Sequence, residues 1–270
     1  MLEHVKITPA RSPVLLRRFR LGQQLSRSAT AFVSGFENRA NWHVESNGKA
    51  ELLGRLAAFS PQTVFDVGAN VGEWSCLAAE LLPVSRIRAF EPVPDTAALL
   101  RDRTSRYGSR IAVHQFALGD KPERRTISTD KRSALVSLLD DVDPASKTTA
   151  HIEVVCGDDF CVQEGIDHIG MLKVDAEGFD HLVLAGFNRM LAAGAVDVVQ
   201  FEYGSWALRT KFLLRDFYNL FDELDYVVGK LYPRGVDFRS YNTSLEDFRG
   251  LNFVAVTRKR ADLIEALAEQ

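Results

Sequence analysis

Carboxylates and glycines sit at intervals that suit a nucleoside ligand. Val64-Phe65-Asp66-Val67-Gly68-Ala69-Asn70-Val71-Gly72 reads as a buried strand entering a glycine turn and then a helix. Phe90-Glu91-Pro92 reads as a second strand ending in an acid, about 20 residues further on, where a βαβ nucleotide fold places its ribose-binding carboxylate. A carboxylate has two acceptor oxygens for two ribose hydroxyls, and Glu91 would repel a 2′-phosphate. Gly68-x-x-x-Gly72 is not the three-glycine pattern that brings backbone amides against a pyrophosphate. The spacing therefore points to a nucleoside without phosphates, such as S-adenosylmethionine, and hence to methyl transfer. Asp66 is expected to order the turn and the ligand's amino end.

Further acids fall at strand ends. Asp120, Asp175 in Lys173-Val174-Asp175-Ala176-Glu177-Gly178, and Glu202 in Gln200-Phe201-Glu202-Tyr203 join Asp66 and Glu91 along one rim. Ligands of doubly wound sheets bind on that rim. Strand alternation puts Lys173 and Asp175 on one face and Val174 on the other. Methyl transfer is an in-line displacement that gains most from positioning, and a hydroxyl acceptor gains further from a base. Asp175, Glu177 and Glu202 are the catalytic candidates, as a base or as holders of a hard divalent ion. The expectation leans to no obligatory metal, since no histidine joins the set. His151, Cys156, Cys161 and His168 match no common zinc spacing. A nucleobase acceptor is disfavoured, because the chain has neither a Pro-Pro-Tyr tetrapeptide nor a Pro-Cys nucleophile.

Strands and helices must position these groups. From Thr63 onward the two patterns alternate, which predicts βαβ units and a mainly parallel sheet. The later strands are expected at Ile87–Phe90, Ile111–Val113, Met171–Val174 and Val196–Phe201. A helix from about Glu51 to Phe59 precedes the first strand. Trp74, Leu77, Ala78 and Leu81 recur at helical spacing and should face the sheet. Asp95 is placed to cap the next helix. Residues 119–150, with Thr126 and Ser133, read as a loop-rich or hairpin insertion. Tyr226–Val228 and Leu251–Val256 read as a hairpin closing the sheet edge.

The 270 residues suit one large α/β domain with a terminal extension: residues 1–48 are basic, then polar, and residues 49–270 form the domain. With 46% hydrophobic and 26% charged residues a sizeable core is possible, and a net charge of −3 gives no global reason to expect nucleic acid. Residues 1–30 carry Lys6, Arg11, Arg17, Arg18, Arg20 and Arg27 against Glu3 alone. That arm, around Val14-Leu15-Leu16, reads as a solvated helix or a contact for an anionic surface. Its apolar run is too short for a signal peptide, and no stretch reaches a membrane span. Three cysteines, Cys76, Cys156 and Cys161, speak against a disulfide framework and for a reducing, cytoplasmic setting. The oligomeric state is left open, a homo-oligomer included.

These motifs together resemble the FkbM family of S-adenosylmethionine-dependent methyltransferases, from about Asn47 to Tyr203. The likeness is carried by Asn47-Gly48 with Glu51, Phe65 through Gly72, Phe90-Glu91-Pro92, Ala117-Leu118-Gly119-Asp120, Asp158-Asp159-Phe160 and Leu172 through Gly178. It implies a class I, Rossmann-like fold: a mainly parallel seven-stranded sheet with an antiparallel last strand, helices on both faces and an N-terminal helical extension. It also implies O-methylation of sugars, glycans, polyketides or related secondary metabolites. Residues and resemblance together assign the cofactor to Glu51, Asp66, Gly68, Asn70, Gly72, Glu91, Pro92, Ala117 and Asp175. Many members carry histidine and glutamate after the Glu-Gly pair, where this chain has Phe179 and Asp180. A small-molecule or glycan acceptor is expected, its identity unreadable because the terminal segments lack matching motifs. The competing readings are a nucleotide-dependent oxidoreductase or epimerase, and a non-catalytic methyltransferase-like binding module.

Overall fold

The structure, a computed structural model, describes residues 19–39, 41, 43, 46–130, 147–250 and 252–269. Helix α1 (Arg20–Phe36) is followed by α2 (Lys49–Leu56), which runs through a 3-10 turn into strand β1 (Thr63–Val67). Helices and strands then alternate as α3 (Glu73–Leu81), β2 (Arg86–Phe90), α4 (Pro94–Thr104) and β3 (Ile111–His114). A short β4 (Ala117–Gly119), β5 (Glu123–Asp130) and β6 (Lys147–Cys156) come next. The alternation resumes with α5 (Gly157–Glu164), β7 (Ile169–Val174), α6 (Asp180–Gly186), α7 (Asn188–Ala192) and β8 (Val196–Glu202). The last elements are α8 (Ala207–Thr210), α9 (Leu214–Glu223), β9 (Tyr226–Tyr232), β10 (Gly235–Phe238), β11 (Asn252–Thr257) and α10 (Ala261–Leu267).

The main sheet has the order β10-β9-β11-β8-β7-β1-β2-β3. Strands β8, β7, β1, β2 and β3 pair in parallel, whereas β11 runs antiparallel to both β8 and β9. The chain winds outward from β1 to β3 and returns to β7 on the other side of β1. The β1/β7 boundary is thus the switch point, and the crevice beyond their C-terminal ends is where such sheets bind ligands. Every residue of β7 and β8 is buried, as befits strands covered on both faces. Alternation divides β1 between two cores: Val64 packs with α2 and α3 residues such as Leu53, Trp74 and Ala78, and Phe65 packs with Phe160, Phe187 and Phe201. Trp74 and Ala78 are buried and Leu77 and Leu81 half-buried, so the α3 stripe faces the sheet as its spacing predicts.

The class I arrangement is present, with three departures from the expected details. The sheet has eight strands rather than seven, because the short, half-polar Gly235-Val236-Asp237-Phe238 pairs antiparallel with β9 at the edge. The β9/β11 pair is antiparallel, but β11 inserts between β8 and β9, so the edge is closed by β10 instead; Leu251 lies outside the described residues. Asp95 does not cap α4: the cap position is Val93 and Pro94 opens the helix, since its fixed φ suits the first helical position. Asp95 falls in the first turn, where a negative charge favours the helix dipole. Of the two readings of the insertion, the hairpin holds: β5 and β6 pair antiparallel from Glu123↔Val154 to Asp130↔Lys147, and with β4 they form a second sheet, β4-β6-β5. Residues 131–146, Ser133 among them, lie outside the described residues. So do Lys6, Arg11, Arg17, Arg18 and the Val14-Leu15-Leu16 run. No helix among the described residues is long and apolar enough to cross a membrane.

Candidate active site

Three backbone contacts fix the turn after β1. The Gly68 and Ala69 N–H groups donate to the Phe90 carbonyl at 3.0 and 2.9 Å, and the Asp175 N–H donates to the Val67 carbonyl at 3.0 Å. Gly68 has φ +73°, and a Cβ there would lie 1.9 Å from the Asp175 carbonyl oxygen. Only glycine lets the two strand ends approach so closely. Asn70 also holds a left-handed φ of 49°. Its N–H donates to Glu91 Oε2 at 3.1 Å, and the Val93 N–H donates to Oε1 at 2.9 Å. Glu91 is only 4% exposed. Burial pushes its carboxyl up to about 7, against the pull of the two N–H groups.

A cavity opens beside this turn. Its walls include Gly68, Asn70, Glu91, Pro92, Ala117, Asp120, Asp175 and Glu177, and Ile127, Ile152 and Val154 of the β5–β6 sheet close one side. Arg125 is the one cation of that lining among the described residues; it pairs with Glu123 and sits 5.6 Å over the Phe179 ring. The lining is otherwise rich in carboxyl groups, a setting that complements a cationic ligand.

Behind the cavity runs a buried chain of charges. Asp66 on β1 and Lys173 on β7 are register partners, so their side chains leave the sheet side by side. Lys173 Nζ reaches Asp66 at 2.9 Å, the Gly68 carbonyl at 3.1 Å and Asp175 at 3.4 Å. Asp66 also accepts from Ser75 at 2.6 Å. Lys49, at the start of α2, reaches Glu202 at 3.2 Å and Asp175 at 4.0 Å. Burial works against the Lys173 charge, yet Asp66 and Asp175 outweigh it and raise its pKa. Burial likewise opposes ionisation of Asp175, but Lys173 and Lys49 prevail and hold its carboxyl below the usual range. Glu177 and Asp180 are both pushed up to about 7, first by burial and then by the Asp175 charge. Glu202 is pushed up to about 8 for the same two reasons. Of the cavity's carboxyls, Asp175 is thus held firmly ionised, whereas Glu177 and Glu91 exchange their protons near neutrality. Glu177 also takes φ 50°, a left-handed backbone costly for a residue with a Cβ and frequent at functional sites.

Gly68, Asn70, Glu91, Pro92, Ala117, Asp175 and Glu177, all named from the sequence, meet on this one cavity. Four others do not. Asp66 lies fully buried beneath the turn, bound to Lys173 and Ser75. Gly72, φ +88°, starts α3 behind the turn, where a Cβ would press on Leu100. Glu202 borders a smaller neighbouring cavity with Asp180, His181 and Trp206. Glu51 points to the surface and pairs with Arg55 one helical turn on, at 2.7 Å; as an exposed helix residue it has no path to the cavity. His168 pairs with Asp197, and no group of three or more His, Cys, Asp or Glu among the described residues is arranged to hold a metal ion.

Sequence reasoning gave no role to Lys49 or Asp180 and did not bring the β5–β6 hairpin to the cavity wall. Alternation in Ile152-Glu153-Val154 carries the signal for that wall. Lys49 follows the left-handed Gly48, where an added Cβ would strike the Tyr232 carbonyl, but nothing local to the sequence pairs Lys49 with Glu202.

Residues 66–228 match the Methyltransferase FkbM domain. The chain is 30% identical to 31-O-demethyl-FK506 methyltransferase FkbM of Streptomyces tacrolimicus, over 46% of this chain and 58% of that protein. It is 23% identical to hexuronic acid methyltransferase AglP of Haloferax volcanii, over 60% of this chain and 66% of that protein. The match thus spans just under two thirds, at most, of these curated relatives' length. A solved methyltransferase FkbM from Methylobacillus flagellatus KT aligns with TM-score 0.48 at 20% identity, over 73% of this chain and 44% of that one. The domain match takes in more than half of the chain, which therefore belongs to the FkbM methyltransferase-domain family.

Proposed function

We propose that the protein is an S-adenosylmethionine-dependent O-methyltransferase acting on a hydroxyl of a sugar, glycan or secondary metabolite. The observation that carries this reading is the meeting of Glu91 and Glu177 on one acid-lined cavity at the switch point. The residues fit the cofactor. Gly68 leaves room for a close approach, each Glu91 oxygen has a lone pair beyond its backbone bond for a ribose hydroxyl, and the carboxylates complement a sulfonium. When bound, the cofactor supplies an activated methyl carbon open to in-line displacement by oxygen. Glu177 takes the proton of the acceptor hydroxyl, the role its carboxyl suits near neutral pH. Asp175 stays ionised and holds the site's negative charge, while Lys173 and Lys49 keep that charge in place. Asp66 and Glu202 support from behind. Membership of the family and the likeness to a 31-O-demethyl-FK506 and a hexuronic acid methyltransferase support the choice of oxygen and of a hydroxyl-rich acceptor.

The test is an acceptor screen that measures release of S-adenosylhomocysteine, followed by Glu177→Gln. That variant should retain cofactor affinity and lose about 10²–10⁴-fold in kcat, and the parent's kcat should rise with pH through about 7. Calorimetry that detects no binding of either S-adenosylmethionine or its demethylated product removes the reading altogether.

A further inference from the structure

Among the described residues nothing covers helix α1: none of its residues is buried. Of the ten large hydrophobic side chains exposed among the described residues, six lie in this short stretch: Phe19, Leu21, Leu25, Phe32, Val33 and Phe36. At about 100° per residue, Leu21, Leu25, Phe32 and Phe36 share an arc of roughly 60°. Phe32 and Phe36 stack with ring centroids 6.2 Å apart. Arg20 and Arg27 project from the opposite side by the same geometry. A stripe of this kind costs free energy in water, so it calls for an occupant.

Charge selects the occupant. Residues 4–36 contain six lysines and arginines and no acid. The whole chain has 33 Lys and Arg against 36 Asp and Glu, and residues 1–36 hold six and one of these. The remainder therefore carries eight more acids than bases. An apolar stripe on a basic, acid-free segment has the features of a helix lying in the interface of an anionic membrane. Pairing with the α1 of a second copy would bring like charges together. A nucleic acid would leave the stripe in water. The root of the helix is fixed to the body: Glu37 reaches the Tyr232 hydroxyl at 2.9 Å, Asn38 donates to the Leu231 carbonyl at 3.2 Å, and Arg39 pairs with Asp247 at 2.6 Å.

We propose that α1 docks this protein on anionic lipid bilayers, with Leu21, Leu25, Phe32 and Phe36 entering the interface and the arginines meeting the headgroups. The experiment is vesicle flotation of the full chain with phosphatidylcholine alone and with added phosphatidylglycerol. Binding should occur on the anionic vesicles at low salt, weaken as salt rises, and be absent on neutral ones. Phe32→Glu should abolish it while the melting temperature and circular dichroism stay unchanged, because α1 buries nothing. Arg20→Gln and Arg27→Gln should each lower partitioning about five-fold. The proposal is overturned if anionic vesicles leave the protein unbound at low salt, or if Phe32→Glu binds like the parent. It is also overturned if the protein ignores vesicles and instead forms a dimer in sedimentation that Phe32→Glu dissolves, which would make a second copy the occupant.

Discussion

Glu91 holds the Asn70 and Val93 N–H groups and faces the cavity with the same carboxylate, so it shapes the site and offers it acceptors. Glu91→Gln keeps the shape but removes the charge. Its expected effect is a loss of about 1.5–3 kcal/mol in cofactor affinity with kcat at saturation little changed, measured by calorimetry and steady-state kinetics. In the parent, affinity should strengthen as pH rises through about 7, where this buried carboxyl ionises, and the variant should lose that dependence. Gly68→Ala tests the turn itself. A methyl 1.9 Å from the Asp175 carbonyl oxygen, on a backbone at φ +73°, forces β1 and β7 apart. The cost should be about 2–5 kcal/mol, seen as a lower melting temperature and lost cofactor binding. Lys49 belongs to the same scale. Lys49→Met leaves Glu202 without its cation, while Asp175 keeps Lys173, and should destabilise. Adding Glu202→Gln should recover much of the loss, a coupling that a double-mutant cycle in urea measures.

Elements explain why some of this was legible in the sequence and some was not. Strands β1, β7 and β8 are largely buried apolar runs and β2 ends in the buried Ala89-Phe90, so the acids that interrupt or follow them stand out against that background. Gly68, Glu91, Asp175 and Glu177 could therefore be found by type and position. Lys49 and Asp180 could not: Lys49 meets Glu202 across 153 residues of sequence, and Asp180 donates no periodicity signal while its carboxyl accepts from the Glu202 N–H. Glu51 misled because motif position says nothing about which helix face a residue takes. The β5–β6 wall is the intermediate case, since its charged outer face masks the inner alternation of Ile127, Ile152 and Val154. Among the described residues that small cluster has only Val93 as a further buried member, so little core lies between these parts of the second sheet. Ile152→Ala should cost about 2 kcal/mol and act locally. Hydrogen exchange should speed in β5 and β6 and stay unchanged in β1, β7 and β8, with the KM for cofactor or acceptor rising. Uniform acceleration through both sheets would show that the wall folds with the main core.

On the scale of the whole molecule, burying so many acids beside one another makes stability depend on pH in an uncommon sense. Glu91, Glu177 and Asp180 keep their protons up to about 7 in the folded chain, and Glu202 up to about 8. In the unfolded chain such groups release theirs near 4. Between those limits the folded state binds more protons, so stability falls as pH rises. Asp175 acts in the opposite direction: its lowered carboxyl contributes stability that is present above the unfolded value and lost as pH drops through the folded one. The balance places the most stable condition near pH 4, where the unfolded carboxyls begin to release their protons, with a decline on the order of a few kcal/mol toward pH 8, less than a sum of independent sites because the carboxyls interact. A sulfonium in the cavity favours the ionised forms, so added S-adenosylmethionine should shrink that decline as well as raise the melting temperature. Glu202→Gln should flatten it too, by removing the group with the widest gap between folded and unfolded behaviour. Melting curves across this range decide the matter. A melting temperature of the free protein that climbs from pH 5 to pH 8 would mean that water reaches these carboxyls, and the base role of Glu177 would lose its physical ground.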